Sequence, residues 1–173
     1  MKLVLLLLIL VSNAFANDLI FKQDGKIIKK ISLADLKTGK IEFNKKSVSA
    51  VDKNVFNAWR GYEKTYRGYS LYDLLDLVYG ADWNKNKKLI FTALDEYKQI
   101  SRIHRMLESA KGKMGLIAYT EVGQDGFTKF NRGEKSIDPG PIYLVWTNFK
   151  ESDKATHGDH LKWPYQLSTI GVN

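Results

Sequence analysis

The chain contains no cysteine, and its first residues read as an export signal. Whatever fold it adopts in an oxidising compartment therefore has to hold together without a disulfide. Lys2 gives a positive start, Leu3 to Val11 are uninterrupted apolar residues, and Ala14-Phe15-Ala16 is a small-x-small site before Asn17. That order of charge, apolar core and small residues marks a cleavable secretory signal peptide over residues 1–16, with cleavage expected after Ala16. The apolar run is too short to span a bilayer, which takes roughly 20 residues. No later run of spanning length follows. The expected location is periplasmic or secreted. Residues 17–173 then form a single domain of about 157 residues, large enough to bury its own core.

The formal net charge is +8, falling to about +7 once Lys2 is removed. The excess comes mainly from lysines scattered through Lys22–Lys53 and Lys85–Lys88. Scattered lysines read as a solvated face that keeps the protein soluble rather than as a nucleic-acid surface. No basic motif interleaved with aromatics supports a nucleic-acid partner. Anionic lipid or an acidic partner protein stays open as a counterpart for this charge.

Local signals alternate between strand and helix. Leu19–Lys22 and Lys26–Ile31 flank Asp24-Gly25, a hairpin signature. Ser32 is placed to cap a turn at Leu33–Leu36 that Gly39 ends. Lys40–Asn44 and Ser47–Val51 read as edge strands, and residues 52–67 as a looser stretch carrying Trp59, Tyr62 and Tyr66. The clearest helix has Ser70 as cap, Leu71, Leu74, Leu75 and Val78 on one stripe, and Gly80 as stop. Lys88–Leu94 reads as a strand with Leu89, Phe91 and Ala93 on one side. Ile103, Met106, Leu107 and Ala110 give a second helix closed by Gly112. Leu116–Glu121 is a strand, Gly123–Gly126 a turn, and Phe127–Phe130 its return. Pro139-Gly140-Pro141 launches the strand Ile142–Trp146, a polar loop spans Asn148–Lys162, and Tyr165–Val172 closes the chain. Strands and helices interleave without the regular alternation of a doubly wound sheet, so the expected class is α+β with a mixed sheet in a single domain.

Five segments carry a resemblance. They are Tyr66-Arg67-Gly68-Tyr69-Ser70-Leu71-Tyr72-Asp73-Leu74-Leu75, Leu89–Tyr97 (LIFTALDEY), Gly115–Tyr119 with Gly123–Gly126, Gly140–Trp146, and Trp163–Leu167 leading to Ile170-Gly171-Val172. Taken in order, they resemble the molybdopterin-binding domain of the sulfite-oxidase type. The resemblance covers residues 66–172 and implies that family's fold and a molybdopterin cofactor. The chain departs from the pattern where the chemistry lies. Ser47–Trp59, where catalytic members carry the metal-binding cysteine, has no thiol, and only a thiolate supplies that soft sulfur anion. Glu96 replaces a glycine of the family's Asp-Gly-Tyr, Pro139 stands where a second glycine is usual, and Tyr143 replaces an arginine.

The resemblance therefore implies a small, exported, cysteine-free relative: a non-catalytic binding or accessory module rather than an enzyme. Its expected partner is a periplasmic cytochrome, a membrane oxidoreductase or a sensor protein, and its expected ligand a small anion. Trp59, His104, Arg105 and Arg132 are the candidate ligand contacts, Trp59 and Trp83 being aromatics set in loops. Trp146, Trp163, Tyr143 and Tyr165 read as core and strand-pair aromatics. No nucleophile elbow is present, and Asp95-Glu96 would point to opposite faces of a strand. Two alternatives stay open: a molybdopterin-dependent oxidoreductase without Cys ligation, and a metal-binding protein using His157 and His160 of the THGDH segment. The export reading has a direct check. Edman sequencing of the protein recovered from its producing cells is expected to begin at Asn17.

Overall fold

In the computed structural model, which describes residues 17–173, alternating burial sets the first hairpin. Leu19 and Phe21 of β1 (Asp18–Gln23) face inward and are fully buried, and Asp24-Gly25 turns the chain into β2 (Lys26–Ser32). Ser32 then caps α1 (Leu33–Lys37): its hydroxyl accepts from the Asp35 amide while the Asp35 carboxylate accepts from the Ser32 amide, a reciprocal capping box. β3 (Lys40–Phe43) and β4 (Lys46–Ser49) pair only with each other. β5 (Val51–Asn57) and β6 (Tyr62–Ser70) make a long hairpin. α2 (Leu71–Tyr79) starts at the Ser70 cap and stops at Gly80, whose φ is 79°. After a 3₁₀ turn at Ala81–Lys85 come β7 (Lys88–Ala93), β8 (Lys98–Arg102) and α3 (Ile103–Ser109). The chain continues through β9 (Gly115–Glu121), the short pair β10 (Phe130–Arg132) and β11 (Lys135–Ile137), β12 (Tyr143–Trp146) and α4 (Asp153–His157). It ends in β13 (Leu167–Val172).

Two sheets carry the architecture. One has the strand order β2-β1-β13-β7-β8, antiparallel except for β1 against β13; the other is the antiparallel β12-β9-β6-β5. α2 contributes Leu71, Leu74 and Leu75, all fully buried, to the core that both sheets share. At its end the Tyr79 hydroxyl lies 2.9 Å from the carbonyls of Lys22 and Ile170, bridging the parallel strands. No helix among the described residues is long and apolar enough to cross a membrane.

The α+β expectation is overturned. Strands hold 45% of the described residues and helices 20%, and the layout is closer to a β-sandwich than to a mixed α+β domain. The cause is local. Residues 52–67, read as loose, are the β5–β6 hairpin, in which the polar runs Asp52-Lys53-Asn54 and Glu63-Lys64-Thr65 leave Val55, Asn57 and Tyr66 as the buried strand residues and erase the apolar alternation. Residues 98–102 form a further strand, β8, that the sequence reading missed. Residues 127–129 do not return along β9. Instead the buried Glu121 carboxylate accepts from Lys64 Nζ (2.8 Å), the Thr128 amide (2.9 Å) and the Thr128 hydroxyl (2.8 Å), and β10 pairs with β11. The two expected helices exist as α2 and α3 and the turn expected over residues 33–36 is α1, but α4 forms inside residues 148–162, expected as a polar loop. Residues 1–16, expected as a signal peptide, lie outside the described residues.

Gly68 sits at a register irregularity between β6 and β9, where a Cβ would stand 2.3 Å from the Ile117 carbonyl oxygen. Gly68→Ala is accordingly expected to lower unfolding free energy by about 2 kcal/mol, within the range for overpacking a rigid core. Urea denaturation of the two proteins measures it.

Candidate functional site

A polar turn sets the first wall of the main cleft. Asn57, at the end of β5, is fully buried. Its side-chain oxygen accepts from the Trp59 amide at 3.1 Å, and its backbone carbonyl accepts from the amides of Arg60 (3.0 Å) and Gly61 (2.7 Å). Its side-chain nitrogen faces the hydroxyls of Tyr143 (3.3 Å) and Tyr62 (3.4 Å). One buried amide thus closes the turn and ties it to β12, because a buried polar side chain must find partners. The turn throws Trp59 and Arg60 outward. Trp59, 44% exposed, stacks on Phe149 at 6.0 Å and rests against Gly158. The Arg60 guanidinium lies over the Phe130 ring at 4.4 Å.

The floor is the segment over residues 158–163. It is pinned from two sides: Trp146 Nε1 of β12 donates to the Lys162 carbonyl at 2.8 Å, and the Ser101 hydroxyl of β8 donates to the His160 carbonyl at 3.0 Å. Between this segment, the Trp59–Arg60 turn, β8 and β10 opens a cavity of about 520 Å³. Trp59, Tyr97, Phe130, Trp163 and Tyr165 supply rings to its lining, and Arg60, Lys98, Arg132 and Lys162 supply cations. The lining contains no aspartate or glutamate. Among the described residues Arg60, Lys98 and Arg132 have no carboxylate in an ion pair, and Lys162 has only Asp159, a loose 3.4 Å contact to a side chain 98% exposed. Two polar atoms at the lining residues lack a hydrogen-bond partner: the Trp163 indole N–H and the Gln99 side-chain oxygen. Burial pushes the Tyr143 hydroxyl well above the ordinary tyrosine range, so it adds no negative charge to the cleft.

The candidate residues divide. Trp59 and Arg132 meet in the cleft, although far apart in sequence. Arg105 lies next door, lining a separate cavity with Lys88, Ile100, Arg102, Asp159 and His160, and contacts Glu108 at 3.4 Å. His104 is exposed on α3 and lines neither cavity. Trp83 is buried, its indole donating to Asp76 at 2.6 Å, so the 3₁₀ turn makes it a core residue rather than an exposed contact. Arg60, Lys98, Lys162, Trp163 and Tyr165 were not singled out as ligand contacts. Adjacency to Trp59 is a usable signal for Arg60; Lys98 is placed by β8, and Lys162, Trp163 and Tyr165 by the irregular segment before β13.

His157 and His160 do not assemble a ligand set with a third group. His157 Nε2 is 3.9 Å from Asp153, its Nδ1 is buried without a partner, and His160 faces the neighbouring cavity. Among the described residues no cluster of three or more histidine, aspartate or glutamate side chains is gathered for a metal. Molybdenum held by a thiolate does not fit the donors either. The chain has no sulfur anion, and β5, where the family's cysteine would lie, buries Val55 and Asn57 instead. No protein-family model matches the chain, and no curated protein matches it.

The turn makes the site's geometry testable. Asn57→Ala strands buried polar groups and is expected to cost about 1–3 kcal/mol of stability. It should also release the turn over residues 58–61, read as faster limited proteolysis there in the otherwise folded protein.

Proposed function

We propose that this protein is an exported, non-catalytic binding module that takes a small anionic ligand carrying a flat ring. The ligand sits between the Trp59–Arg60 turn, β8 and Arg132. One observation carries this reading: four cations converge on an aromatic cavity whose lining has no carboxylate. Unpaired like charges held together cost stability through mutual repulsion, and an anion removes that cost. The arginines add directional donors in a planar fork suited to carboxylate or phosphate. The rings offer faces for a planar group, and the free indole N–H of Trp163 offers one further donor. The pinned floor segment supports a site formed before the ligand arrives.

The probe is benzene-1,2-dicarboxylate, followed by tryptophan fluorescence. Saturable quenching is expected, weakening as salt rises, because exposed charges are screened. Arg60→Ala and Arg132→Ala are each expected to weaken binding about tenfold, equal to about 1.4 kcal/mol. Equal binding of benzylammonium, or no binding of either probe, would defeat the reading.

A further inference from the structure

β8 ends its sheet, with β7 as its one neighbour. The phase of its hydrogen bonds decides which of its backbone groups are spent. The Ala93 amide donates to the Tyr97 carbonyl and the Ile103 amide to the Lys87 carbonyl. Phe91 faces Gln99 and Leu89 faces Ser101 in the register between them. In an antiparallel ladder the bonded pairs recur every second residue. Gln99 and Ser101 therefore turn their N–H and C=O toward β7, and Lys98 and Ile100 turn theirs to the open side, as Arg102 does its N–H, while the Arg102 carbonyl belongs to the start of α3. Among the described residues no strand pairs with β8 on that side.

The side chains on this edge are also uncommitted. Ile100 is 49% exposed, and Tyr97, at the entry to the strand, 63%. Lys98 and Arg102 are exposed and have no carboxylate partner among the described residues. Ile100 lines both the aromatic cleft and the neighbouring cavity of about 520 Å³ that holds Lys88, Arg102 and Arg105. The edge is thus flanked along its length by concave, basic surface.

We propose that β8 is a docking edge that receives an acidic, extended segment of a partner protein as a sixth strand. Charge selects the occupant. A second copy pairing edge to edge would set Lys98 and Arg102 against their own kind, and like charges facing each other across strands repel. Lys98, Ile100 and Arg102 share one face of the strand, so a segment with two carboxylates four residues apart and an apolar residue midway meets those cations and covers Ile100. At about 3.4 Å per residue the five residues of β8 accept a segment of about five residues. The opposite edge, β2, is also lysine-rich, but its pairing with β1 is irregular between Phe21 and Lys22, which twists an edge away from a flat partner. Main-chain hydrogen bonds supply the attraction and side-chain pockets the selectivity, as in other cases of strand addition. The edge and the small-anion cleft are separate proposals, tested with different probes.

The test uses a fluorescein-labelled acetyl peptide, seven residues long, in which two glutamates four positions apart flank a central valine and threonine fills the other positions, with anisotropy as readout. The same peptide N-methylated at alternate amides cannot form the ladder, and replacing both glutamates by lysine reverses the charge. Ile100→Pro removes the outward N–H at the centre of the edge, a position where proline leaves the β7 ladder intact. Binding of the acidic peptide is expected, with losses of at least tenfold on N-methylation, on charge reversal and in Ile100→Pro. No binding, or an N-methylated peptide that binds as well as its parent, would overturn strand addition. Should Ile100→Pro fail to fold, the N-methylated peptide on the wild-type protein decides alone.

Discussion

The apolar stripe of α2, buried in a core common to both sheets, is the contact on which the rest of the molecule depends. With no disulfide available, the sheets are held by what they bury together. Leu71, Leu74 and Leu75 sit where neither sheet can cover the other without the helix. A fully buried leucine contributes about 1.5–3 kcal/mol relative to an exposed one, so this short helix matters more than its length suggests. Its packing reaches β2 in one sheet and β6 and β9 in the other. Tyr79 carries the connection to the parallel strands through its hydroxyl.

The cleft gathers features that a purely structural surface avoids. Solvated lysines spread over a face cost little, whereas Arg60, Lys98, Arg132 and Lys162 crowd one concavity without acidic relief. Elsewhere the same protein pairs its charges: Arg67 grips Asp52 through two nitrogens at 2.7 and 2.8 Å, and Lys64 closes on the buried Glu121. The contrast supports recognition of an anion as the selective reason for the unpaired set. It also separates this cleft from the hydrogen-bonded network of Asn57, Tyr62 and Tyr143 behind it, whose task is to hold the turn in place.

Much of the element list was legible because it rests on short-range chemistry. Asp24-Gly25 favours one tight turn, Ser32 and Ser70 offer hydroxyls to free helix amides, and the leucines from Leu71 to Leu75 repeat with a helical period. Strands with a polar face were harder. In β5 and β6 the outward residues are charged and the hairpin lies at a sheet edge, so the apolar alternation is half erased. β8 is short and begins Lys-Gln, which reads as loop until β7 supplies its hydrogen bonds. The α+β expectation failed for that reason: helices announce themselves through caps and period, while polar strands exist only in the company of a neighbour.

The sequence by itself determined the absence of any thiolate or disulfide, the basic balance, the capped α2 and the hairpin at Asp24-Gly25. Each follows from residue chemistry or from interactions within a few positions. Only the tertiary structure decided that Trp59 meets Arg132, that His104 stands apart from them, and that Lys98 of β8 faces one cavity with Arg60, Arg132 and Lys162. Those meetings depend on strand order and register, which are set by the burial of whole sheet faces and leave no local mark in the chain.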